Sequence, residues 1–148
     1  DHGDALMGQS RFAQAGDSYQ TAIRMLPQEG LFHTRLAMVR VKQKQLGLAK
    51  TEAELGAQLS PELFYSNHLA GLVNLMQKDI RNGHRYLAKA DRIVGNHAVN
   101  KYLLGLTYEA MGQRRQAAYI YQSVARMAPR TQAGQSALKR LNYLNRGY

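Results

Sequence analysis

Five histidines, His2, His33, His68, His84 and His97, are the side chains best suited to hold a metal or move a proton near neutral pH. A zinc site on one helix needs two of them a turn apart, commonly as His-Glu-x-x-His, so that both rings reach the ion from the same face. No pair here stands a single helical turn apart, and none begins that motif. The chain has no cysteine, which excludes disulfides, thiolate nucleophiles and Cys-ligated metal but leaves the redox compartment open. The acid pair Glu52 and Glu54 lacks an identifiable apolar enclosure to hold one carboxyl protonated, so a solvated helix face is expected. Glycines such as Gly71 and Gly105 stand singly inside helical patterns, whereas a phosphate loop clusters them between a strand and a helix. No catalytic residue, metal ligand or cofactor is assigned, and enzymatic activity is not expected of this segment.

The elements that carry these residues are bounded by composition. At 148 residues with 45% hydrophobic content, the chain can form one domain with a sizeable core. No run approaches the roughly 18 consecutive apolar residues needed to span a bilayer. The opening DHGDALMG has neither the basic start nor the apolar core of a secretion signal, so any targeting segment is expected to have been removed. Twenty Lys and Arg against ten acids give a net charge of +10. After Glu109 there is no acid, while Arg114, Arg115, Arg126, Arg130, Lys139, Arg140 and Arg146 accumulate. Such a one-sign surface either meets an acidic protein, an anionic membrane or nucleic acid, or simply keeps the domain solvated.

A fixed period organises the chain. Pro61 follows Pro27 after one interval of 34, and Pro129 follows Pro61 after two such intervals. A shift of 34 carries Gly105 onto Gly71, Ala117 onto Gly83, Tyr121 onto Leu87 and Val124 onto Ala90. The pattern predicts antiparallel helix pairs joined by short turns, with small residues such as Gly105 and Ala117 where the two helices approach closest. Tyr108 and Tyr121 fill the wider spaces, Gly112 takes a left-handed turn after the first helix, and Pro129 ends the second.

With Lys101, Leu104, Gly105, Tyr108, Ala117, Tyr121 and Pro129, the third unit resembles the tetratricopeptide (TPR) pattern W-x2-L-G-x2-Y, A-x3-F, P, with only the tryptophan replaced outright. The resemblance implies an all-α, TPR-type α-solenoid forming a single domain. Units fall at about 30–63, 64–97 and 98–131. A partial unit at 1–29 precedes them, carrying Phe12, Ala15, Tyr19, Ala22 and Pro27, and a capping helix follows at 132–148. In that helix Ala137, Leu138, Leu141 and Leu144 are expected to pack, with Lys139, Arg140 and Arg146 outside. Ala37, Arg40 and Ala53 in the first full unit, and Asn74 and Gly95 in the second, depart from the pattern and predict looser packing there. Because Asp1 falls inside a first helix when the period is run backwards, the chain is expected to be a piece of a longer protein.

TPR arrays usually bind through the concave face lined by the first helix of each unit. By phase, that face comprises Leu31, Thr34, Met38 and Val41, then Tyr65, His68, Leu72 and Leu75, then Val99, Tyr102, Leu106 and Glu109. The Lys and Asn that clamp a terminal carboxylate in chaperone-binding members are replaced at slots 5 and 9 by Thr34, His68, Tyr102 and by Met38, Leu72, Leu106. A largely apolar face suits a helix or an unfolded segment, or these side chains bury one another between units. Arg114, Arg115, Arg126, Arg130, Lys139 and Arg140 form a second candidate surface toward the convex side or the end.

The runs EGLFHTRLA and ELFYSNHLAGLV, with a leucine-rich closing helix after a basic last unit, resemble the C-terminal TPR tail of bacterial HExxH zinc metallopeptidases of the cell envelope, the beta-barrel assembly-enhancing protease type. This resemblance implies a periplasmic location and a protein or peptide ligand, either an unfolded envelope protein or the parent's catalytic domain. The catalytic zinc site would lie upstream of Asp1. The alternative is a TPR scaffold of another envelope or secretion assembly. Nucleic acid is not an expected partner, because RNA-reading helical repeats need a slightly longer period and polar base-reading positions.

Overall fold

In a computed structural model that describes the backbone of residues 2–147 and the side chains from residue 8 onward, helices start at Gly30, Phe64, Ala98 and Gln132, at the same constant interval as the prolines. A second series starts at Leu46, Ile80 and Arg114 with the same spacing. The elements are α1 (His2–Met25), α2 (Gly30–Lys42), α3 (Leu46–Leu59), α4 (Phe64–Met76), α5 (Ile80–Ile93), α6 (Ala98–Ala110), α7 (Arg114–Met127) and α8 (Gln132–Asn145). The described residues contain no strand. Helices α2, α4 and α6 pack on α3, α5 and α7 respectively, and each of these second helices also packs on the next first helix, α4, α6 or α8. First helices touch one another as well, α2 with α4 and α6 with α8. The architecture is an all-α solenoid of stacked helix pairs. Asp1, Tyr148 and the side chain of His2 lie outside the described residues.

Each pair turns through one left-handed residue, at Lys44 (φ 62°), Lys78 (φ 63°) and Gly112 (φ 78°). The hydrogen bonds repeat too: Lys44, Lys78 and Gly112 donate to the carbonyls of Val41, Leu75 and Glu109, and the following residue donates to Arg40, Asn74 or Tyr108. These bonds satisfy carbonyls left open at a helix end. Glycine was anticipated at the third turn; lysine fills the same conformation at the other two.

Inside each pair, residues that face one another across the two helices are complementary in size. A Cβ on Gly71 would fall 2.5 Å from Leu87 Cγ, and one on Gly105 would fall 2.6 Å from Tyr121 Cε1. In the first pair the corresponding residues, Ala37 and Ala53, are both fully buried in one core cluster. The looser packing expected from Ala37, Ala53 and Asn74 is therefore not observed. A small second-helix residue is matched by a slightly larger first-helix one. Asn74 is buried and bonds to Glu54 Oε2 and the Ala70 carbonyl.

The two ends depart from the sequence reading. Helix α1 runs straight through Gln9–Arg11, where the period places a turn. Helix α8 starts in register with the first helices and is capped by the Thr131 side chain, which accepts from Gly134 N at 3.0 Å. Ala137 and Leu144 are buried as expected, but Leu138 is 49% exposed. Its equivalents Leu36, Ala70 and Leu104 are covered by the second helix of their own pair, which α8 does not have.

Candidate functional site

The first helices bring the twelve inner-face residues to one side of the solenoid, but not as one class. Thr34, His68 and Glu109 are committed to polar bonds. Thr34 Oγ1 donates to Ser66 Oγ at 2.8 Å, joining α2 to α4. His68 Nδ1 meets Asn100 Oδ1 at 2.8 Å, joining α4 to α6 at the same register, one repeat further along. Asn100 Nδ2 donates in turn to the Leu87 carbonyl, so Oδ1 is the acceptor and His68 Nδ1 carries the proton. Slot 5 thus ties each of these first helices to the next one, which is why no carboxylate clamp can occupy it. Burial lowers the His68 pKa, outweighing the Asn100 hydrogen bond, and nearby His97 lowers it further.

Glu109 is held from two sides. Tyr121 Oη donates to its carboxylate at 2.7 Å, and the Arg140 guanidinium forms a two-pronged ion pair with it. Arg140, expected on the outer side of the terminal helix, points inward and also lies over the Tyr143 ring. Arg114 donates to the Leu144 carbonyl at 3.0 Å. Arg114 and Arg140 of the basic patch are therefore engaged at the α6–α7–α8 junction. Arg115, Arg126, Arg130 and Lys139 remain exposed.

Most of the remaining inner-face residues are partly buried. Met38, Val41 and Leu72 pack against the core of the first two pairs, and Leu75, Tyr102 and Leu106 against that of the last. The Tyr102 ring sits 5.9 Å from that of Tyr121. Leu31 completes this group. Tyr65 and Val99 are 42% and 47% exposed, and with Leu31 they occupy one repeated position on α2, α4 and α6. The Tyr65 ring adjoins an aromatic group that phase alone did not single out: Phe64 stacks on His68 at 5.5 Å and contacts His97 at 4.8 Å. His97 also caps α6, its Nδ1 accepting from Asn100 N at 3.1 Å.

The acids Glu52 and Glu54 are not a solvated face. Glu52 pairs with His33 at 2.8 Å, and Glu54 accepts from Asn74. Both contacts lie between the helices of adjacent elements and are structural. Burial lowers the His84 pKa, and its Nδ1 meets Thr107 Oγ1 at 2.8 Å. Among the described residues, no three His, Asp or Glu converge as a metal cluster, and no helix is long and apolar enough to cross a membrane.

No family model matches the chain, and no curated protein matches it by sequence. Solved structures do match over nearly its full length. A crystal structure of MamA superposes with a TM-score of 0.76 at 20% identity, covering 95% of this chain and 86% of that one. YrrB, described as a TPR protein with an unusual peptide-binding site, gives 0.75 at 20% identity over 93% and 71%. The Arabidopsis OM64 TPR domain gives 0.70 at 16% identity over 78% and 95%. The fold is that of a TPR α-solenoid.

Proposed function

We propose that this chain is a protein-interaction module that holds a helical or extended segment of another protein along the inner face of α2, α4 and α6. The observation that carries this reading is the line Leu31, Tyr65 and Val99, apolar at each repeat and left open to solvent at the last two. Each Å² of such surface covered by a ligand contributes roughly 25 cal/mol. The description of YrrB as peptide-binding supports a peptide as the ligand class.

Within that reading we place the module as the substrate- or partner-binding tail of a periplasmic, cell-envelope zinc metallopeptidase. Its ligand is an unfolded envelope protein or the parent's catalytic domain. The runs EGLFHTRLA and ELFYSNHLAGLV support that placement. A scaffold of another envelope or secretion assembly would share the same groove, and an HExxH helix in the upstream coding sequence separates the two. The binding itself is tested by Tyr65→Asp with Val99→Asp. A folded double variant should lose capture of an unfolded envelope protein; full binding would overturn the assignment.

A further inference from the structure

The N-terminal helix pair is missing one partner. Helices α3, α5 and α7 each lie between two first helices, whereas α1 lies against α2. The positions that meet the preceding first helix are 49 and 53, 83 and 87, and 117 and 121; every one is buried, and all but Gly83 are fully covered. Their equivalents in α1, Ala15 and Tyr19, are half-exposed. With Phe12 they floor a cavity of about 500 Å³, whose opposite wall carries Arg35, Met38 and Lys42. A second hollow of about 450 Å³ continues from Phe12 and Lys42 to Lys44. No acidic side chain lines either one.

We propose that this groove seats an amphipathic helix from a partner protein, with a small residue opposite Tyr19 and acidic residues along its flanks. A helix is the fitting shape because the same seat is filled by a helix three times within the chain. The small residue is required because Ala37, Gly71 or Gly105 stands there each time. The acids are required because Arg35, Lys42 and Lys44 line an acid-free groove on a chain of net charge +10.

The chain's own other end is a poor occupant. Helix α8 is a first-type helix with its covering face open, but Lys139 stands where Gly105 stands in α6 and would bring a bulky cation to Tyr19 beside Arg35. Gly3 precedes Tyr19 by the same interval as Gly105 precedes Tyr121, yet the unbroken α1 keeps its first two turns on its own axis and out of the groove.

The proposal rests on the peptide-binding reading. Arg35 and Lys42 lie outside the Leu31–Tyr65–Val99 line, so the two sites can fail separately. The probe is a fluorescein-labelled, end-capped peptide of Ala98–Ala110 carrying V99E and K101E. A matched cationic peptide carries V99K and E109K. At low ionic strength, anisotropy should show the acidic peptide binding at least tenfold more tightly than the cationic one. Arg35→Glu with Lys42→Glu, both exposed and so compatible with folding, should reverse that preference. Gly105→Leu in the acidic peptide should cost at least tenfold. Absence of binding, equal binding of the two peptides, or an unchanged preference in the reversed protein would overturn the proposal. So would an oligomer in sedimentation equilibrium that Phe12→Glu splits, which would seat a second copy in the groove. A monomeric Gly3→Cys, Tyr19→Cys variant that closes its disulfide quantitatively would seat the chain's own first residues there and overturn it too.

Discussion

Gly105 and Tyr121 are fitted to each other: a Cβ at position 105 would fall 2.6 Å from Tyr121 Cε1 and 3.2 Å from Ile120 Cγ2, and the tyrosine ring is completely buried. Tyr121 has no free space into which to withdraw, because it lies in the core cluster shared by α5, α6, α7 and α8. Replacing Gly105 with Leu should therefore destabilise the domain by about 1–3 kcal/mol through overpacking. Denaturant titration followed by circular dichroism measures it, and an unchanged midpoint would place the α6–α7 contact elsewhere.

The left-handed lysines give a second prediction, of opposite sign. A non-glycine residue in this conformation costs roughly 1–2 kcal/mol, part of which glycine gives back through the greater freedom of the unfolded chain. Lys78→Gly should raise stability by about 0.5–1 kcal/mol, since the turn bonds from residues 78 and 79 are backbone bonds that it keeps. A lower melting temperature would mean that the Lys78 side chain contributes more than its backbone strain costs.

These two sites show what the sequence disclosed. The repeat period placed the helix pairs because size complementarity, such as Gly71 with Leu87, leaves its mark on residue types. The turns at Lys44 and Lys78 were invisible, because their conformation is imposed by the packed helices on either side and not by a permissive residue. The Thr34–Ser66 and His68–Asn100 bonds were invisible for another reason. Two polar residues so far apart in the chain look unrelated until the first helices are laid side by side. Arg140 looked like a surface charge because its partner, Glu109, lies almost a full repeat away on α6.

That Glu109 site should behave as a unit. Tyr121→Phe removes one donor to a carboxylate that Arg140 still holds, and Arg140→Ala removes the other. Each should cost about 0.5–1.5 kcal/mol. Because both act on one carboxylate, the double variant should differ from the sum of the two. Strict additivity in a double-mutant cycle would show that the two contacts are independent.

Stability should depend on pH through the buried histidines. His68 and His84 both have lowered pKa values in the folded chain, chiefly because burial penalises the charged ring. As pH falls below the ordinary value of 6.5, the unfolded chain takes up protons that the folded chain resists. The stabilisation is thus fully present above 6.5 and is lost progressively as pH falls toward the lowered folded values. Melting temperature should decline between pH 7.5 and pH 5. Variants carrying His68→Gln and His84→Gln, each able to retain a hydrogen bond, should decline less. An equal slope in the double variant would locate the titrating groups elsewhere.

Salt dependence separates the inner face from the exposed arginines. Tyr65 and Val99 lie on first helices, whereas Arg115 and Arg126 lie on α7 and Arg130 follows it. Contacts made by Tyr65 and Val99 are apolar and insensitive to screening, while attraction to exposed arginines weakens as the Debye length shrinks from about 10 Å at 0.1 M to about 3 Å at 1 M salt. Capture of an unfolded envelope protein should therefore change little between those salt concentrations and should survive Arg115→Ala, Arg126→Ala and Arg130→Ala together. Tyr102→Ala and Leu72→Ala are weaker tests, because both side chains also pack against the core and their loss would lower stability as well as binding. A steep fall of wild-type affinity with salt, matched by loss of binding in the arginine variant, would move the recognition surface from the inner face to α7.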